Sequence, residues 1–277
     1  MPSIAYKFTD KLSLGVGVNA MYGIYKNQVA VNNVNPAYAD GQLKIDDNEW
    51  GWGVNLGLLY EFTSSTRIGI TWNSQVDLDF SAPAEFSNLA PGLNALLSSR
   101  GLLNASLDVG INVPQQVMVS IFHQLNKQWA LLGSVGWQEW SKFGQVQLGI
   151  SDTTNPTSDT TNLDFKDTWH GALGAQYRMS DPWMLNFGVA YDSEFQDSSR
   201  VSPLLPVNSS WRFGVGVQHQ ASKTFTWGVS TEYLYGGSLD TNLQSTLPVA
   251  VGGRGDVVGS YDNTATLFLG LYGNWKF

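Results

Sequence analysis

The stretch Leu267–Phe277, LFLGLYGNWKF, carries apolar or aromatic residues at Leu267, Leu269, Leu271, Trp275 and Phe277. Glycine, small or polar residues fill most of the positions between them. A period of two is the mark of a β-strand, whose successive side chains point to opposite faces. One face here is greasy from end to end, yet the mean hydropathy of the whole chain is only −0.13. A soluble sheet would bury such a face against a second sheet. A strand in a bilayer would turn it to lipid.

The same alternation recurs upstream. WRFGVGVQH sets Trp211, Phe213, Val215 and Val217 against Arg212, Gly214, Gly216 and Gln218. WGWGVNLGLLY sets Trp50, Trp52, Val54, Leu56 and Leu58 against Gly51, Gly53, Asn55 and Gly57. FTWGVSTEYLY, WMLNFGVAY and RIGITW follow suit. The pattern predicts eleven strands near 2–9, 12–31, 42–62, 67–80, 105–125, 129–150, 162–179, 183–195, 209–221, 225–238 and 264–277. Tight turns at 9–11, 63–66, 126–128, 180–182 and 221–224 alternate with long loops at about 32–41, 81–104, 151–161, 196–208 and 239–263. Strict short–long alternation is what an up-and-down antiparallel meander requires.

Composition agrees. Charged residues make up 14%, against about a quarter in a soluble domain. The non-apolar faces carry Gly, Ser, Asn and Gln, which suits the lining of a closed tube better than a water-facing sheet. In hydrocarbon each unpaired backbone polar group costs several kcal/mol, so a membrane β protein must close on itself. The expected fold is therefore all-β: a transmembrane antiparallel up-and-down β-barrel in a bacterial outer membrane, one domain over 1–277, with one helical outer loop. Strands of 9–11 residues span a bilayer, and Trp and Tyr at strand ends read as interfacial girdles. A net charge of −8 excludes a basic nucleic-acid footprint. The absence of cysteine excludes disulfides and thiolate chemistry. No apolar run reaches 18 residues, so no transmembrane helix is expected. Bacterial barrels have even strand numbers. Eleven strands, with no legible secretion signal before IAYKFT, lead to the expectation that the chain is the C-terminal portion of a barrel.

Several stretches resemble the FadL family of outer-membrane transporters of hydrophobic compounds, which includes toluene and xylene uptake proteins. They are 2–23, 50–76, 125–143, 165–192 and 206–219. The most specific are the Trp-x-x-Trp-Ser-x-Phe run at Trp137–Phe143 and the Lys-Asp-x-Trp run at Lys166–Trp169. The resemblance implies a monomeric fourteen-stranded barrel plugged by an N-terminal hatch, so hatch and first strands would lie upstream of Met1. It also implies capture of ligand in a greasy outer groove, passage to an inner site, and sideways exit through a kinked early strand. Phe277 resembles the terminal aromatic signal read by the barrel assembly machinery.

Two sets of ligand-binding residues follow. In the loop 86–107, Leu89, Leu93, Leu96 and Leu97 recur at helical spacing. With Leu102, Leu103 and Arg100 they would form a helical pair and an outer groove, or else a cap on the rim. By parity Arg67, Lys166, Arg212 and Glu232 point into the tube, where they would meet a ligand carboxylate or neutralise each other. His123, His170 and His219 lie on different strands, and no metal, cofactor or catalytic residue is expected of them. The glycines of GVGVNA and GGRGDVVG precede no helix, so they are no phosphate loop. Arg254-Gly255-Asp256 is a weak adhesion signal. The function expected is diffusion-driven uptake of hydrophobic small molecules such as long-chain fatty acids or aromatic hydrocarbons, without enzymatic chemistry. The partners are the ligand and outer-membrane lipids. The alternatives are a general porin for polar solutes and a structural or adhesive surface barrel.

Overall fold

The structure is a computed structural model that describes residues 1–35, 37–153, 155–197, 201, 207–243 and 255–276. Phe277 and Arg254 lie outside the described residues. In chain order the elements are β1 (Ser3–Lys7), β2 (Leu12–Val31), β3 (Gly41–Thr63), β4 (Thr66–Asn73), β5 (Val76–Pro83), β6 (Glu85–Ser87), α1 (Pro91–Ser99), β7 (Ser106–Val113) and β8 (Gln116–Gln124). They continue with β9 (Trp129–Gln138), α2 (Trp140–Phe143), β10 (Gln145–Ser151), β11 (Thr157–Asn162), β12 (Thr168–Arg178), β13 (Trp183–Asp192), β14 (Ser210–Gln220), β15 (Phe225–Leu243) and β16 (Val257–Trp275).

Eleven strands form the wall, in the order β1-β2-β3-β4-β8-β9-β12-β13-β14-β15-β16, every neighbour antiparallel. β6 joins β3 alongside this path, and β1 and β16 are not paired with each other. The five short turns all fall at one end and the long excursions at the other. Side chains satisfy the turn backbones. Asn126 Oδ1 accepts from the N–H groups of Gln128 (2.8 Å) and Trp129 (2.9 Å). Thr9 Oγ1 accepts from Leu12 N (3.0 Å) and Ser222 Oγ from Phe225 N (2.9 Å). Asn, Ser and Thr serve at these positions because a short polar side chain can mimic a turn's own backbone bond.

The two faces of the wall differ as the alternation demands. Leu173, Leu267, Leu269 and Leu271 keep 69–74% of their surface exposed, which in a membrane protein is the lipid face. Ring pairs edge it at the short-turn end: Tyr6–Phe8 (4.9 Å), Trp129–Tyr177 (4.6 Å) and Phe225–Trp275 (4.4 Å). His219 belongs to this belt, wedged between Trp183 (4.2 Å) and Trp227 (5.5 Å). At the opposite end stand Tyr22–Trp50 (5.0 Å) and Tyr191–Trp211 (5.1 Å). Between Trp183 and Tyr191 the strand rises about 27 Å at ~3.4 Å per residue. A tilt of about 40° reduces that to roughly 21 Å, near the apolar band of an outer-membrane barrel.

Three of the expected strands break in two. Residues 67–80 divide at Ser74–Gln75 into β4 and β5, and 105–125 divide at Pro114 into β7 and β8. Residues 129–150 divide at α2 into β9 and β10. Pro114 has no N–H to give a ladder, so pairing stops there. Gln115 seals the break: it accepts from Trp72 Nε1 (3.0 Å) and donates to Glu139 Oε2 (2.7 Å). The upper halves leave the wall and form a separate antiparallel sheet, β11-β10-β7-β5. β11 arises where a loop was expected at 151–161, and β15 and β16 run past their expected ends.

This small sheet lies on the inner face of the long β2–β3 hairpin. Val76, Leu78, Phe80 and Ala82 are buried at alternate positions of β5. Leu78, Phe80 and Val109 form a core with Met21 and Tyr25 of β2 against it. The approach depends on glycine: a Cβ at Gly51 would sit 2.3 Å from Val76 Cγ1, and one at Gly53 2.8 Å from Val76 Cγ2. The glycines that read as tube lining in this hairpin thus serve packing.

Candidate functional site

Two places answer to the expected binding regions. The first is the outer loop carrying α1. Pro91 opens the helix, where its missing N–H costs nothing. Leu89, Leu93 and Leu97 are half-buried, whereas Leu96 is 48% exposed. The loop is pinned by the buried Asn33, whose Nδ2 donates to Ala39 O (2.6 Å) and Asn88 O (2.9 Å). Its Oδ1 accepts from Ala90 N (2.8 Å), just ahead of the helix. The expected helical pair is a single helix: Gly101, in the left-handed region at φ 69°, ends it. Leu102 and Leu103 lie half-buried in the turn toward β7, and Arg100 is exposed at the helix end.

The second is the inner face of β9 and β12–β16. Gly174, Gly188 and Gly214 stand opposite one another across three strands, and Gly214 stands opposite Glu232. They floor a groove of three adjoining cavities. Nearest the long loops, one of about 190 Å³ is lined by Met118, Gln138, His170, Asp192 and Arg212. A second, of about 300 Å³, shares His170 and Arg212 and adds Leu132 and the three glycines. A third, of about 440 Å³, shares Gly188, Gly214 and Glu232 and reaches Phe268 and Tyr272. Packing favours glycine at Gly174, where a Cβ would come within 3.3 Å of Phe187 O, but does not demand it at the other two. A Cβ would meet nothing nearer than 3.7 Å at Gly188 and 4.0 Å at Gly214. Larger hollows at Ile121–Val135–Leu173 and Tyr6–Val16–Leu56 lie on the apolar outward face and belong to lipid contact.

A chain of polar groups heads the groove. His170 Nδ1 lies 2.7 Å from Asp192 Oδ1, and Arg212 Nε lies 2.7 Å from Asp192 Oδ2. Charge rather than an aligned N–H···O bond holds the latter pair. Arg212 Nη1 is 3.7 Å from Glu232 Oε1. Above this chain Trp140, Phe143, Phe165 and Phe195 gather at centroid distances of 5.0–6.2 Å. Gly144 allows the approach, since a Cβ there would sit 2.9 Å from Phe165 Cβ.

The expected lumen residues therefore have distinct fates. Arg212 and Glu232 face inward and pair with each other. Arg67 also faces inward, at the short-turn end, with its guanidinium 4.5 Å from the Phe122 ring centroid. Lys166 corrects the parity argument. It precedes β12 at the long-loop end and pairs with Glu194 (3.4 Å) and Asp197. Those carboxylates, Asp197 foremost, hold its ammonium above the usual lysine range. Sequence reading missed Asp192 and the His170–Asp192 contact, because a cross-strand neighbour 22 residues away is visible only once register is known. No cluster of three or more metal-ligating side chains occurs among the described residues.

A family model described as "Outer membrane protein transport protein (OMPP1/FadL/TodX)" matches residues 1–277. The chain is 27% identical over 258 residues to the long-chain fatty acid transport protein of Salmonella typhi, covering 86% of this chain and 59% of that protein. It thus spans about three fifths of the length of the curated relatives it matches. Among solved structures, a Pseudomonas aeruginosa FadL homologue superposes with a TM-score of 0.77 at 18% identity, over 99% of this chain and 66% of that one. The P. putida toluene transporter TodX gives 0.63 at 14%, over 98% and 67%. At these identities the likeness of structure speaks to the barrel fold.

Proposed function

Since the chain belongs to the OMPP1/FadL/TodX family of outer membrane transport proteins, we propose that it forms the greater part of a channel for hydrophobic small molecules. Passage is by diffusion between binding sites, without covalent chemistry. The observation that carries this reading is the inner groove, whose floor holds Gly188 and Gly214 where the packing does not require glycine. Its residues keep a passage open beneath a wall that could hold side chains. Leu132 and Phe268 flank the floor, and at its head Arg212 stands between the acids Asp192 and Glu232. Such a slot suits an elongated apolar molecule with a small polar end better than a hydrated ion, because most of a ligand's surface must be covered by apolar lining. The relatives' names point the same way: long-chain fatty acids for one, toluene for another.

The outer helix serves as the first landing place in this reading. Leu96 is its exposed apolar contact, backed by the half-buried Leu93 and Leu97, with Arg100 beside it for an acidic headgroup. The test is uptake of radiolabelled long-chain fatty acid and of toluene by cells lacking their own transporter and expressing the full-length gene. Uptake above the empty strain for either compound is expected. Background uptake of both, with the protein folded in the outer membrane, sinks the proposal. A large open-channel current in planar bilayers would favour the polar-solute porin.

A further inference from the structure

The charges of the chain are divided by position along the barrel axis. Of 15 basic residues, seven lie at the short-turn end: Lys7, Lys11, Arg67, Lys127, Arg178, Lys223 and Lys276. Only three of the 23 acids, Asp10, Glu61 and Asp181, lie with them. A molecule of net charge −8 therefore has one clearly positive end. Apart from Arg67, which lies over the Phe122 ring on the inner face, the positive charges are also unspent. All seven side chains are exposed, and none of the seven takes part in an ion pair among the described residues. At the other end Lys26, Lys44 and Lys166 each hold one or two carboxylates.

Their depth is fixed by the aromatic belt. Lys127 and Lys223, both in turns, stand two residues before Trp129 and Phe225, and Lys11, also in a turn, follows Phe8 by three. Lys7 and Arg178, each next to an outward ring on its own strand, share the inner face with Arg67. Rings of this kind settle at headgroup level. The turn lysines beside them are then level with lipid phosphates, and their stems are long enough to reach outward to them. In outer-membrane barrels the short turns face the periplasm. From this geometry we infer that the short-turn rim is a binding surface for anionic phospholipid headgroups of the periplasmic leaflet. Phosphatidylglycerol-type phosphates supply the charge that the protein itself withholds there. The inference rests on the barrel's orientation and not on the identity of any transported ligand.

The experiment uses the purified chain in neutral detergent, incubated with equal amounts of phosphatidylglycerol and phosphatidylcholine. Co-purifying lipid is then quantified. A several-fold excess of bound phosphatidylglycerol is expected for the wild type, falling steeply as salt is raised. Lys11→Gln, Lys127→Gln and Lys223→Gln, all in turns, are combined in one variant. Juxtamembrane cations contribute about fivefold each, so the variant's preference is expected to collapse toward equality. Lys44→Gln with Lys142→Gln at the opposite end is expected to leave it unchanged. Heat-modifiable electrophoretic mobility checks that each variant is folded. The inference is overturned by equal retention of the two lipids by the wild type, by an undiminished preference in the folded triple variant, or by an equal loss in the long-loop control. It is likewise overturned if the wild type ignores phosphatidylglycerol but binds immobilised polyglutamate, which would assign the rim to an acidic polypeptide.

Discussion

Arg212 reaches diagonally to Asp192. The residue directly opposite Arg212 on β13 is Ala190, yet its Nε lies 2.7 Å from Asp192 Oδ2, one step further toward the long loops. Arg212 thereby separates two acids, Asp192 and Glu232, on the inner wall. Arg212→Ala leaves both without their cation. Breaking a buried ion pair this way costs about 3–5 kcal/mol. These side chains keep 26–41% of their surface, so a loss of about 1–2 kcal/mol is expected after screening. The measurement is the midpoint of heat-modifiable mobility. Lys, which keeps the charge, should recover part of the loss.

Gly188 and Gly214 offer the sharpest test of the groove. Because a Cβ has room at both, Gly188→Leu and Gly214→Leu should leave folding intact while filling the floor. Uptake of labelled hydrophobic substrate by the full-length protein is expected to fall at least tenfold in the double variant. Unchanged uptake with correct folding would show that ligand does not pass over this floor. Gly51→Leu is the contrasting case: its side chain would collide with Val76. Overpacking of this kind costs about 1–3 kcal/mol, and the small sheet should lose its seat.

Asn33→Ala removes three hydrogen bonds from a buried position. An unsatisfied buried group costs about 1–3 kcal/mol. The loss should fall on the loop 88–100 and leave the wall alone. Limited proteolysis is expected to cut within that loop several-fold faster in the variant, with the melting midpoint nearly unchanged.

Two exposed charge clusters fix the pH behaviour of the long-loop end. Asp46 is held below its ordinary value of 3.8, first by the hydrogen bond from Lys26, with Lys44 adding to it. A depressed carboxylate stabilises the fold above its unfolded pKa and loses that contribution as pH falls through the folded value. The hairpin tip of β2 and β3 should therefore exchange amide protons faster only below about pH 3.8. Lys166 is raised above 10.5. Its contribution is complete below 10.5 and is lost as pH rises through the folded value. Hydrogen exchange around 164–168 and 193–197 is expected to rise in strong alkali and not between pH 6 and 9.

The eleven wall strands, their order and their short turns were legible because lipid on one side and a lumen on the other force a strict period of two. Trp211 and Arg212, or Leu271 and Tyr272, report the face of each position directly. The small sheet was not legible. Val76–Ala82 resumes the alternation of Ile68–Trp72 in the same phase after Ser74, so the period itself does not mark that β5 has left the wall. Pro114 and the Asn73-Ser74-Gln75 turn signal were the available clues. For the site, parity placed Arg67, Arg212 and Glu232 correctly on the inner face. It failed for Lys166, which lies before its strand begins, and it could not find Asp192, whose role depends on register. Glycine was ambiguous from sequence alone: Gly51 and Gly214 look alike in the string, and only the neighbours above them tell packing from passage.

The four-stranded sheet enters and leaves through wall strands at β4–β5, β7–β8 and β9–β10. Much of what a phage fibre or an antibody would meet from outside the cell is thus a folded relief anchored to the membrane span. Variation that escapes such visitors is tolerated on the edge strand β11, which contributes nothing to the Leu78–Phe80–Val109 core. A change at Leu78 or Val109 would alter the silhouette of the whole surface at once.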